Sequence, residues 1–135
     1  MSMMIPPEEY NRFADLIKRL VVLDVLARAL EIDQRGMERL PLKFGRVWKE
    51  TMAEVMQRVE QERVQCRRQL RRCGGHIVEV RQWSDAREVQ ARFRGFFYRH
   101  WFDNEWLRSE CEEWLRSYWR EGKNTRQQTP RTRSH

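Results

Sequence analysis

The chain predicts an α+β, mainly α fold: a long antiparallel helical hairpin, a β-hairpin, a C-terminal helix (α-α-β-β-α) and a disordered basic tail. Three features carry this. Two long stretches of helical apolar spacing are parted by Leu40-Pro41, a β-branched alternating run follows Gly74-Gly75, and a further amphipathic helical stretch precedes a polar tail. At 135 residues the chain is long enough for one domain with a single core, expected over 1–121, with 122–135 as the tail.

The first helix starts at Pro6-Pro7-Glu8-Glu9. Proline suits a first turn because its missing N–H is not needed there, and carboxylates meet the positive end of the helix dipole. Phe13, Leu16, Ile17, Leu20, Leu23, Ala27 and Leu30 then recur at helical spacing. Nine of the eleven residues from Leu20 to Leu30 are apolar, which predicts cover on more than one side. Asp24 and Arg28, the exceptions, stand four apart and are placed to pair along the one open edge. The helix should run to about Glu38, because the residue before Pro41 avoids the α region.

A short connector with Leu42, Phe44 and Gly45 leads into the second helix. Its stripe is Trp48, Met52, Val55, Val59, Glu62, Cys66, Leu70 and Cys73, a heptad-like seam interrupted once, at Glu62. So short a connector makes the two helices antiparallel neighbours, and a lone pair leaves the rest of helix 1 in need of another partner.

Gly74-Gly75 ends helix 2, and His76 to Gln82 reads as a strand. Residues 86–97 fit either period. A single strand would leave its backbone N–H and C=O groups unpaired, and 88–94 is the neighbouring candidate, so a β-hairpin with Trp83 to Arg87 as its loop is expected. The next stretch, Gly95 to Trp106, carries six aromatic residues in twelve positions. Phe96 to Phe102 is expected to form a helical turn or two, and Gly95 to Trp106 as a whole to wedge hairpin and last helix onto the helical pair. Asp103 or Asn104 caps the final helix. Leu107, Cys111, Trp114, Leu115 and Tyr118 share a face, and Gly122 ends it. The following residues contain no aliphatic side chain able to order them.

Composition narrows the setting. Apolar residues make up 40% and charged residues 35%, as in a domain with a heavily charged surface. Met1 to Pro7 lacks the basic start and apolar core of a signal peptide, no stretch approaches the roughly twenty apolar residues of a membrane span, and three cysteines suit a reducing compartment. A cytoplasmic protein with no membrane contact is expected. The net charge of +7 is concentrated: residues 63–99 carry ten basic against three acidic groups, whereas 1–62 are nearly balanced.

Several short words resemble a known family. Pro-Pro-Glu-Glu opening a helix, Val-Leu-Ala-Arg-Ala-Leu-Glu-Ile-Asp, a Pro-Leu-Lys connector, a long charged helix, Phe-Arg-Gly-Phe-Phe and Trp-Phe-Asp-Asn-Glu-Trp-Leu-Arg are similar in order to the small YhjD-like proteins of spore-forming Gram-positive bacteria. The resemblance spans about residues 5–121 and departs from the family in its tryptophan and arginine richness. It implies a strand at 88–94 and an intracellular bacterial setting. With no established activity in the family, it transfers no functional residue.

Chemistry by catalysis or metal finds little support. Cys66 and Cys73 lie roughly 10 Å apart along a helix, too far to share a zinc ion with sulfurs at about 2.3 Å. Cys73 and His76 have no second pair of ligands. His100 and Asp103 lack a nucleophile elbow, a phosphate loop or a paired-carboxylate cleft. No catalytic residue, metal, cofactor or small-molecule ligand is predicted, and the chain is expected not to be an enzyme. Two surfaces remain. Trp83, Trp106 and Trp119 occupy positions where tryptophan is often kept for a protein interface, which favours a protein–protein or self-associating module. Arg63, Arg67, Arg68, Arg71 and Arg72 on helix 2, with Arg81, Arg92 and Arg94 on the hairpin, offer an alternative: an anionic partner, with nucleic acid held at its phosphates.

Overall fold

The computed structural model describes residues 4–133, with side chains described from 4 to 122. Helix α1 spans Pro7–Glu38 and α2 Gly45–Arg72, joined by a six-residue connector and packed side by side. Strands β1 (Gly75–Gln82), β2 (Ala86–Phe93) and β3 (Phe96–Asp103) form one antiparallel sheet in sequence order, and α3 runs Asn104–Arg133. The mainly helical α+β architecture and its order of helix pair, strands and last helix follow the sequence expectation.

Helix α1 is central. Phe13, Ile17, Leu23 and Leu26 are almost wholly buried, as are Val55, Val59 and Cys66 from α2, Val89, Ala91 and Phe93 from β2, and Leu107 from α3. The dense apolar run from Leu20 to Leu30 thus meets two further helices. Burying a side chain of this kind contributes about 1.5–3 kcal/mol, so this junction holds the molecule together. The Phe13 and Phe93 rings stack at 4.5 Å and 8°, joining the first turns of α1 to the sheet.

The α2–β1 junction explains its two glycines. Gly74, at φ 92°, takes the left-handed conformation that closes a helix. A Cβ on Gly75 would stand 2.7 Å from Phe13 Cδ1 and 2.9 Å from Leu70 Cδ1, so only glycine lets the chain pass the core here.

Three expectations are corrected. Phe96 to Phe102 is not a helical turn but most of a third strand, paired with β2 from Phe93↔Phe96 to Ala86↔Asp103. The cause is the Arg94-Gly95 pair, at φ 51° and 85°, which makes the two-residue turn that returns a strand on its neighbour. The hairpin loop shortens to Trp83–Asp85, because Ala86 and Arg87 already belong to β2. The second correction is at Gly122, the expected end of the last helix. Gly122 does not adopt a positive φ, and α3 continues as helix to Arg133. A single glycine in a helix costs only about 1 kcal/mol. The side chains of the basic tail lie outside the described residues, as do Ser134 and His135.

The third correction is the pairing of Asp24. Arg63 Nε donates to Asp24 Oδ1 at 2.8 Å and Arg67 stands 3.7 Å away, so Asp24 bridges α1 to α2, while Arg28 pairs with Glu31. Glu62, the break in the α2 seam, accepts from Arg58 at 3.0 Å and from Trp114 Nε1 at 3.0 Å, with Arg19 at 3.5 Å. The seam's polar residue is therefore where all three helices are tied together.

Candidate interaction surfaces

The arginines singled out by the sequence fall into two groups. Arg63 is committed to Asp24 and Glu60, Arg67 leans on Asp24, Arg81 on Glu79, and Arg94 on Glu9 with its guanidinium 5.3 Å from the Phe93 ring. Arg68, Arg71, Arg72 and Arg92 are exposed and form no ion pair among the described residues. The α2 stripe is thus partly consumed inside the fold, and its open charge gathers at the C-terminal end of α2 and on the adjoining β2. Exposed pairs of this kind contribute about 0–1 kcal/mol each.

The three tryptophans do not form one patch. Trp106 lies over Lys18 at 5.7 Å and stacks on Phe102 at 6.1 Å. Trp119 meets Tyr118 edge-on at 5.3 Å and is half exposed. Trp83 sits beside a ring the sequence did not single out, Trp101 of β3, at 6.1 Å.

A larger apolar surface went unnoticed in the sequence. The buried core ends at Leu30 on α1 and begins at Val55 on α2, so the closed end of the helical hairpin stands bare. Ile32, Leu40, Leu42, Phe44, Val47 and Trp48 are all exposed there, Phe44 by 71%. Trp48, expected in the α2 seam, is 50% exposed. Met37, Leu40, Leu42 and Phe44 border an open groove of about 730 Å³, with Lys43 and Arg46 on its rim. Phe44 also occupies the N-cap of α2 and makes no capping hydrogen bond, at a position where Ser, Asp or Asn would stabilise the helix. The available signal was an apolar connector, Leu40-Pro-Leu-Lys-Phe, where polar turn residues are usual.

The sheet has one covered face and one open face. Val89, Ala91, Phe93, Tyr98, His100 and Phe102 look inward. The cross-strand rows His76–Arg92–Phe97, Glu79–Gln90–Arg99 and Arg81–Glu88–Trp101 look outward. On the open face Phe97, Trp101 and Trp83 are 46%, 55% and 48% exposed. Glu88, at 3%, is buried beneath them. Trp83 Nε1 and Gln90 Nε2 each donate to it at 3.0 Å, and Arg99 Nε lies 2.9 Å away. Burial alone would raise this carboxyl, but the bonds from Gln90 and Trp83 and the charges of Arg99 and Arg81 prevail and hold its pKa below the ordinary value.

Two of the three thiols, Cys66 and Cys111, are buried and held protonated. Cys111 donates to the Val22 carbonyl at 3.6 Å, and burial, helped by Glu110 and Glu112, pushes its thiol up to about 11. Burial likewise raises Cys66, which donates to the Leu16 carbonyl at 3.4 Å. Thiols held protonated are poor nucleophiles. Among the described residues no three His, Cys, Asp or Glu side chains are grouped to hold a metal ion, and no helix is long and apolar enough to cross a membrane.

Comparison with known proteins agrees with the short words of the sequence. A family model described as YhjD protein matches residues 7–123, from the first turn of α1 into α3. No curated protein and no solved structure matches the chain. The match takes in both long helices, the whole sheet and most of α3: the chain belongs to the YhjD family.

Proposed function

We propose that the chain is a non-enzymatic cytoplasmic interaction module that docks a protein through the closed end of its helical hairpin. The observation that carries this is the cluster of six exposed large apolar side chains between Ile32 and Trp48. Four of them, Leu40, Leu42, Phe44 and Val47, line one groove, and exposed apolar surface gathered in this way marks interaction sites. The missing cap at Phe44 supports it, since stability is forgone to keep an exposed ring at the tip. Trp48 and Phe44 are the rings suited to anchor such an interface, with Lys43 and Arg46 as its polar rim.

A photo-crosslinking side chain at Val47 in the full-length chain, expressed in its native cell, tests the reading. A discrete protein adduct, lost when Phe44 and Trp48 are replaced by serine, is the expected result. No protein adduct at Val47, together with a strict monomer by light scattering, would overturn it.

A second reading, an anionic partner, is favoured by exposed cations at one end of α2 and on β2 that form no ion pair among the described residues: Arg68, Arg71, Arg72 and Arg92.

A further inference from the structure

The open face of the sheet has no part in docking at the hairpin tip. We infer that this face is a binding platform for single-stranded nucleic acid, with Phe97 and Trp101 as base-stacking rings and Arg92 and Arg99 as the nearby cations. The inference deepens the anionic-partner reading by naming both the surface and the strandedness of the ligand.

Geometry comes first. Phe97 and Trp101 lie four residues apart on the same side of β3, roughly 13 Å along a strand. Both present about half their surface to solvent, and neither belongs to the core. Two separated flat apolar rings on a rigid strand suit unstacked bases, because every base has a π-face. Duplex DNA or RNA keeps its bases paired and stacked, so it offers nothing for these rings to take.

The charge on this face complements a phosphate backbone. Arg92 is exposed, lies 5.8 Å from the Phe97 ring and forms no ion pair among the described residues. Its cross-strand neighbour on β1 is the exposed His76. The open cations Arg71 and Arg72 end the helix that leads into β1, at the same end of the sheet. At the other end Arg99 and Arg81 flank Glu88, whose carboxylate is buried and already engaged. Arg92 and Arg99 therefore flank the rings, Glu88 meets them from below, and the exposed Glu79 on the same face is neutralised by Arg81 at 3.2 Å.

Glu88 also fixes the platform. Its bond from Trp83 Nε1 holds that indole beside Trp101, and its pairing with Arg99 holds a guanidinium between the two stacking positions. A surface ordered before binding loses less freedom when a ligand docks.

The test is fluorescence anisotropy of a labelled single strand of about ten nucleotides, in DNA and RNA arms, with the full chain at low salt. A duplex of the same sequence and heparin serve as competitors. Single strands should bind and quench tryptophan fluorescence, with the duplex at least about tenfold weaker. Trp101→Ala and Phe97→Ala should each weaken binding about tenfold or more, while Trp101→Phe keeps most of it. Arg92→Ala should lower the salt slope by about one. Circular dichroism checks that these solvent-facing variants remain folded. The tip variant Phe44→Asp should bind single strands like the parent chain, so this inference and the tip docking fail separately. Absence of binding to either strand at low salt would overturn the inference. So would equal affinity for duplex or heparin, or unchanged binding by both ring variants. A dimer lost on Trp101→Ala, with no strand bound, would assign the face to a second copy instead.

Discussion

The two ends of the helical hairpin are built from the same kinds of residue and have opposite fates. At the open end Phe13, Ile17, Val59, Cys66 and Leu70 are covered by the sheet and by α3. At the closed end Ile32, Leu40, Phe44, Val47 and Trp48 meet solvent. Hydrophobicity does not separate them; the presence of a third element does. Two helices bury only the stripe they share, and the remainder is buried only where another layer reaches. One end of this hairpin is structure, and the other is available surface.

That contrast can be broken or sharpened by substitution. The largest effect belongs to Phe13→Ala, which removes a fully buried ring stacked on Phe93 and should cost about 3–5 kcal/mol in denaturant unfolding. Gly75→Ala comes next. Its Cβ meets Phe13 and Leu70 below 3.0 Å, and the overpacking should cost about 1–3 kcal/mol, read as a lower thermal midpoint. Asp24→Asn weakens the tie between α1 and α2 where Arg63 and Arg67 converge. A loss of about 1 kcal/mol is expected, shrinking as salt is raised, because the pair is only partly buried.

At the tip the sign should reverse. Phe44→Asp supplies the missing N-cap and should stabilise α2 by about 0.5–1 kcal/mol while removing the adduct formed at Val47. A destabilised Phe44→Asp would show that the ring supports the fold, and the contrast between the two ends would fail.

His100 gives a test in pH. Burial lowers its pKa below 6.5, and its Nδ1 has no hydrogen-bond partner among the described residues, while Nε2 lies 3.5 Å from the Tyr10 hydroxyl. The unfolded chain therefore takes up a proton before the folded one does. This contribution to stability is intact above pH 6.5 and declines as pH falls through the folded pKa. His100→Phe should remove that dependence in urea titrations run across this range.

The sheet shows where the sequence could be read and where it could not. Strand β1 and its pairing with β2 followed from β-branched alternation and from the need to satisfy backbone groups. β3 did not, because Phe96, Phe97, Trp101 and Phe102 mark aromatic richness more strongly than they mark a period. The informative signal is the Arg94-Gly95 pair, which reverses the chain where a new helical stretch was expected to begin. The error concealed the open sheet face: with Phe97 and Trp101 placed in a helical wedge, nothing suggested that they would share a solvent-facing strand. Of the candidate residues, the arginines were found by composition, but which were already spent on Asp24, Glu60 or Glu9 depended on contacts up to 85 residues apart.

What the chain settles by itself is local. Helix starts at Pro7, the breaks at Pro41 and at Gly74-Gly75, the apolar stripes and the family follow from neighbouring residues, because capping, φ restriction and helical period act over a few positions. Which apolar residues become core was decided only in three dimensions. Cys111 and Trp48 both lie on expected apolar stripes, yet one is buried against α1 and the other is half exposed. Burial depends on whether another layer arrives, and that is a property of the packed molecule.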